Sequence, residues 1–183
     1  MPAAGPPELG PIHHFAYLVE EIEPVVQRLH RQFGAGPFLQ IAEVPVEDVT
    51  SCGEPAEFVH SSAFGICNDV AVELIQVGRV EPARAAERFR LNDDGTPRLQ
   101  HVAYAFPPAT VAALRTDLEA RGLAEYLSAR FGEDVEMTYH DASGSFGYDL
   151  EIHADSEGLR ASFAMLRDAA ETWDGSDLLR PFG

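Results

Sequence analysis

One short pattern occurs twice in this chain, as His14-Phe15-Ala16-Tyr17 and as His101-Val102-Ala103-Tyr104. An internal repeat outweighs local propensity as evidence for a fold, because it means that one supersecondary unit is built twice. Both copies lie inside apolar runs, IHHFAYLV and LQHVAYAF, that read as buried strands. A helical pattern follows each. In the first, Val25, Val26, Leu29 and Phe33 share a face and Gly34 ends the helix; in the second, Val111, Leu114, Leu118 and Gly122 take the same parts. The closing glycine follows its histidine by 20 residues in one copy and by 21 in the other.

Three extended segments come after each helix. They are FLQIAEVPV, AEFVHSSAFGI and VAVELIQVG in the first copy, and AEYLSARFG, EDVEMTYHD and YDLEIHAD in the second. Turn signals separate them at Ala35-Gly36-Pro37, Asn68-Asp69 and Ser143-Gly144. Each copy therefore reads β-α-β-β-β. The expected fold class is α+β, with modules 11–79 and 99–155 in one domain spanning 11–155. A length of 183 residues suits a single domain. The polar stretch 79–98 links the copies, with a short helix expected at 82–90. Residues 156–183 lie outside the repeat and are expected to form a helix, with Leu159, Phe163 and Leu166 on one face, and a tail ending GSDLLRPFG that is either an ordered arm or a frayed end.

Side chains on a strand alternate between faces, so each strand is read in two columns. His14 shares a column with Ile12, Ala16 and Leu18, and Glu73 shares one with Ala71 and Ile75. The second copy repeats this with His101 on its first strand and Glu151 on its last. An ionised carboxylate on an apolar face costs several kcal/mol unless it is paired or binds a cation. Taken singly, each residue has an ordinary explanation: a hydrogen-bonded strand histidine, or a glutamate facing water. Taken as four, in duplicate, they point to a divalent cation, whose charge the two carboxylates neutralise while one or two coordination positions stay open. His13 then faces away from His14, and His153, in the column of Glu151, is a reserve ligand. Tyr17 and Tyr104 fall on the opposite strand face and are expected to pack under the helices.

The paired β-α-β-β-β modules, carried by IHHFAYLV, VELIQ, LQHVAY and LEIH, resemble the vicinal oxygen chelate superfamily, and within it the glyoxalase I and methylmalonyl-CoA epimerase branch. The resemblance covers residues 11–155. It implies a half-barrel closed around one metal site, with His14, Glu73, His101 and Glu151 as ligands of a divalent ion (Zn, Ni, Co, Mn or Fe). It further implies an isomerase, epimerase or related lyase that acts on a small carbonyl or acyl substrate. The α-proton is moved through a metal-stabilised enolate by Glu151 or Glu73, with Glu151 preferred. Candidate substrate contacts are His60 and Ser62 in module one and Tyr139 and His140 in module two. A ring-cleaving Fe(II) dioxygenase, for which Glu73 is a surplus ligand, and a metal-free small-molecule or antibiotic-binding protein are the competing readings. Family members often pair, so a homodimer is expected.

Composition narrows the partners. The net charge of −17 repels phosphate-rich surfaces, which argues against nucleic-acid and anionic-membrane partners. No apolar run reaches the length of a membrane span, and the start MPAAGPPELGP has no leader signature, so a cytoplasmic location is expected. Cys52 and Cys67 match no redox or zinc spacing and read as reduced thiols. No phosphate-cradling glycine loop implies a nucleotide cofactor.

Overall fold

The computed structural model describes residues 9–182. Most of the N-terminal stretch read for a leader, residues 1–8, lies outside the described residues. In the first module β1 (Ile12–Leu18) leads into helix α1 (Ile22–Phe33), followed by β2 (Phe38–Ile41), a hairpin of β3 (Val46–Ser51) and β4 (Glu54–Pro55), and the long pair β5 (Glu57–Cys67) and β6 (Val70–Glu81). Helix α1 stops at Gly34, whose φ of 70° is left-handed and whose N–H reaches the His30 carbonyl. Asn68 and Asp69, both at positive φ, turn β5 into β6.

The linker is a short helix α2 (Ala83–Ala86) and a 3-10 turn at Glu87–Phe89, pinned by buried Ala85 and Phe89. The second module is β7 (Arg98–Phe106), α3 (Pro108–Ala120), β8 (Glu125–Phe131), β9 (Val135–His140), a four-residue helix α4 (Ser143–Phe146) and β10 (Asp149–Ala154). Helix α5 (Glu157–Glu171) and the short strand β11 (Leu179–Pro181) close the chain. The Ser156 side chain caps α5 by accepting from the Leu159 N–H at 3.1 Å.

The eleven strands of the described residues form one sheet in the order β11-β2-β5-β6-β1-β7-β10-β9-β8-β3-β4. The repeat is written into its register. In the parallel pair β1 and β6, His14 lies opposite Ala71 and Ala16 opposite Glu73; in the parallel pair β7 and β10, His101 lies opposite Asp149 and Ala103 opposite Glu151. The two β1-type strands run antiparallel at the centre, with His14 opposite Ala103 and Ala16 opposite His101. Each histidine and glutamate is thus displaced by the same two residues in both halves, and the curled sheet brings their side chains to one concave face.

Alternation assigns the other column to the convex face. Tyr17 and Leu74 pack there under α1 with Ile22 and Val26, and Tyr104, Leu150 and Ile152 pack under α3 with Val111, Leu114 and Leu118. The expectation that both tyrosines lie under the helices matches this arrangement.

Several local readings need correction. Phe33, assigned to the inner face of α1, is 59% exposed, and Ile22 and Val26 are the buried positions. The run read as one strand from Phe38 to Val46 breaks after Ile41, and residues 46–55 form a hairpin whose partner is β8 of the other module. Ser143-Gly144, read as a turn, begins α4. The tail is an ordered arm, with β11 parallel to β2. Both outermost strands are only two or three residues long and end on a proline, Pro55 or Pro181, which blunts the sheet edges. Both cysteines are free. Among the described residues no helix is long and apolar enough to cross a membrane.

Candidate metal centre

The concave face of the central strands carries His14, His101, Glu73 and Glu151, all buried. The small side chains of Ala16 and Ala103, fully buried beside them, leave the histidines and glutamates room to meet. His14 Nε2 lies 3.3 Å from Glu73 Oε2 and 3.3 Å from Glu151 Oε2. His101 Nε2 lies 3.6 and 3.1 Å from the same two oxygens, and 3.4 Å from His14 Nε2. Neighbouring ligand atoms on one ion at about 2.0–2.2 Å are themselves about 3–3.5 Å apart, so this donor set fits a divalent cation. His14, Glu73 and His101 form one compact triad, and His14, Glu151 and His153 a second that shares His14.

Each of the four has a further partner that sets its orientation. His101 Nδ1 meets Gln100 Oε1 at 2.5 Å, and His14 Nδ1 meets His13 Nδ1 at 3.0 Å. Ser62 Oγ donates to Glu73 Oε1 at 2.6 Å, and His153 Nε2 lies 2.9 Å from Glu151 Oε2. Gln100 is itself anchored. Its Nε2 donates to Asp149 Oδ2 and to the Tyr126 hydroxyl, and Tyr126 donates to the same Asp149 oxygen. Arg88, from the linker, closes the network by pairing with buried Asp149 and with Asp141. A histidine held through one nitrogen presents the other to a metal in a fixed tautomer.

His13 departs from the expectation that it faces away from His14. A register irregularity between Ile12 and His14 turns it inward, where its ring centroid lies 3.9 Å from Phe163 and 5.8 Å from His153, while Ile12 is pushed out to 47% exposure. Strand alternation could not show this, because a bulge breaks the period locally.

The electrostatics follow from the crowding. For His14, burial opposes charge, but its bonds to Glu151 and Glu73 outweigh that and raise its pKa to about 9. Burial and then repulsion from His14 lower His13 to about 3, so His13 stays neutral beside His14 Nδ1. Burial pushes both carboxyls up, yet the neighbouring histidines hold Glu73 below and Glu151 well below the usual carboxylate range. The centre is therefore two carboxylates whose charge a bound cation can balance.

Beside it is a cavity of about 80 Å³. Its polar floor is His14, Glu73, Glu151, Ser62, Tyr139 and His153, and its walls include Ile41, Val44, Phe131, Val135 and Met137. Helix α5 and the tail roof it with Leu159, Phe163, Leu166 and Phe182. Burial, with Glu151 and Glu73 nearby, keeps the Tyr139 hydroxyl well above the ordinary phenol range, so it stays a neutral donor. His60 lines the same cavity, stacked 3.8 Å on Phe58, and its buried Nδ1 has no partner. Of the expected substrate contacts, His60, Ser62 and Tyr139 are brought together here and His140 is not. His140 follows Tyr139 on β9 and so faces the other side, where its Nδ1 meets the Leu123 carbonyl and its Nε2 meets Thr138 Oγ1. Sequence reasoning missed Gln100, Asp149 and Arg88, along with the roof formed by α5. The polar residue directly before each repeat histidine, His13 or Gln100, was the available signal.

No protein-family model matches the chain, and no curated protein matches it by sequence. Solved structures do match. A methylmalonyl-CoA epimerase from Mycobacterium tuberculosis aligns over 82% of this chain and 91% of its own at 12% identity, with a TM-score of 0.50. A hypothetical protein from Bacillus halodurans aligns over 80% and 95% at 14% identity, with a TM-score of 0.51. The chain has the fold of the vicinal oxygen chelate superfamily. Helix α5 contributes Leu159, Ser162, Phe163 and Leu166 to the cavity lining.

Proposed function

We propose that this chain, with the fold of the vicinal oxygen chelate proteins, is a metal-dependent isomerase or epimerase, or a related lyase, that moves a proton next to a substrate carbonyl. The observation that supports it is the convergence of His14, Glu73, His101 and Glu151 beside a cavity. These four residues would hold one divalent ion. When bound, that ion supplies Lewis-acid stabilisation of the negative charge that develops on a carbonyl oxygen.

The chain's own residues account for the rest. Glu73 has both oxygens engaged, Oε1 by Ser62 and Oε2 by the histidines, which suits a purely structural ligand. The three histidines all meet Glu151 through Oε2, and the Tyr139 hydroxyl lies beside this carboxylate. Glu151 is therefore the preferred acceptor of the α-proton, and Tyr139 the donor that orients a substrate oxygen. The apolar walls and roof would hold the apolar part of a substrate against the centre.

The test is elemental analysis of protein purified without a metal-affinity tag, together with deuterium exchange at the α-carbon of small carbonyl compounds in heavy water. About one divalent ion per chain is expected, lost in His101→Ala and Glu151→Ala. Exchange by the wild type that is absent in Glu151→Ala supports the reading. A chain that takes up none of Zn, Ni, Co, Mn or Fe overturns it.

A further inference from the structure

The cavity wall carries information about the substrate that the metal ligands do not. The chain has no lysine, so its 13 cationic side chains are all arginine. Among the described residues, none that lines the cavity is an arginine. Several near the sheet are committed elsewhere: Arg79 to Glu57, Arg88 to Asp149 and Asp141, Arg98 to the Arg88 and Arg90 carbonyls, Arg115 to Glu125 and Glu136, Arg130 to Glu47 and Asp48. Arg167, exposed on α5, is close enough to be felt at His13 but is not part of the wall.

Three histidines line the cavity; His14 and His153 are already turned to Glu151, and His60 does not supply the missing charge. Burial lowers the pKa of His60, so it stays neutral, and its unpartnered Nδ1 offers an ordinary hydrogen bond. Two carboxylates, Glu73 and Glu151, balance a divalent ion and leave no positive charge over. An anionic group on the substrate would find no opposite charge in this apolar wall, where a buried charge without a partner is costly. Space is a second restriction. About 80 Å³ is roughly half the ~150 Å³ that admits a benzene ring, and the volume is set by Phe163, Leu159 and Leu166 on one face of α5.

We infer that the substrate is a small, uncharged molecule whose only polar end is the pair of oxygens presented to the centre, its apolar remainder resting against Leu159, Phe163 and Leu166 of α5. This rests on the metal-site reading above, and the two are separable by experiment. Cobalt(II) is added first to metal-free protein, and its visible absorption reports uptake before any ligand is present. Acetohydroxamic acid and phosphonoacetohydroxamic acid are then titrated. They share one chelating head and differ in the anionic group. The uncharged probe is expected to bind at least about tenfold more tightly. Ser162→Arg, which places a cation in the roof, narrows that ratio, and Arg167→Gln leaves it unchanged.

Equal or tighter binding of the phosphonate by the wild type overturns the inference. So does loss of phosphonate binding in Arg167→Gln, because it reveals a cationic handle. If neither cobalt nor Zn, Ni, Mn or Fe is taken up, the metal reading fails. The substrate inference is then decided on metal-free protein by methyl chemical shifts of Leu159 and Leu166: acetoin, but not pyruvate, is expected to move them, and movement by pyruvate overturns it.

Discussion

Gln100 shows how much of a candidate metal centre is built from residues outside the donor set. It accepts from His101 Nδ1 and donates to Asp149 and Tyr126, so a single amide fixes the ring angle of one ligand and ties it to the linker through Arg88. Gln100→Leu should weaken metal binding by about 10–100-fold, read by competition with a chromophoric chelator, while stoichiometry at saturation stays at wild type. Arg88→Met should act on stability instead. It leaves buried Asp149 without its cation, at a cost of about 3 kcal/mol by urea denaturation. Arg130→Ala, whose partners Glu47 and Asp48 are solvent-exposed, should give no measurable change in the same assay. The convergence of His14, Glu73, His101 and Glu151 was legible beforehand because a repeat carries positional information that single residues lack. His13 and Gln100 were not, because reading a strand in two columns assigns neighbours to opposite faces. The Ile12–His14 irregularity, and the hydrogen bond between Gln100 and the very next side chain, both escape that rule.

At the level of elements, α5 is the part that distinguishes this cup from an open one. Its inward face, Leu159, Phe163 and Leu166, joins the same core cluster as Ala16 and Leu18 of the central strand, and Phe163 stacks 5.7 Å from His14 at an interplanar angle of 23°. Phe163→Ala should therefore cost about 3–5 kcal/mol of stability by urea denaturation. The same change enlarges the cavity, which should let benzohydroxamic acid onto the cobalt-loaded protein more tightly than onto wild type. The helix itself was readable from its apolar spacing. Its docking site was not, since nothing in a helical pattern says which surface the apolar face will cover. The β3–β4 hairpin escaped for a related reason: its ladder partner β8 lies some eighty residues away, and β-pairing at that separation leaves no local trace.

Over the whole molecule, the pseudo-twofold arrangement of the modules places the centre where β1 and β7 meet, so neither half holds a complete ligand set. The surface carries the rest of the charge. With a net −17 the chain repels itself, and added salt screens that repulsion. The melting temperature of metal-free protein should rise between about 10 mM and 0.15 M sodium chloride, read by calorimetry. A fall would mean that the surface ion pairs outweigh the self-repulsion. The exchange of an edge between halves has a further consequence during synthesis. The hairpin at residues 46–55 leaves the ribosome long before residues 125–131 exist to pair with it, so the first module waits with an open strand. Nascent chains stalled before β8 should be more readily cut by protease within 46–55 than chains stalled after it, and a gene split between the modules would yield a first half that cannot finish its own sheet.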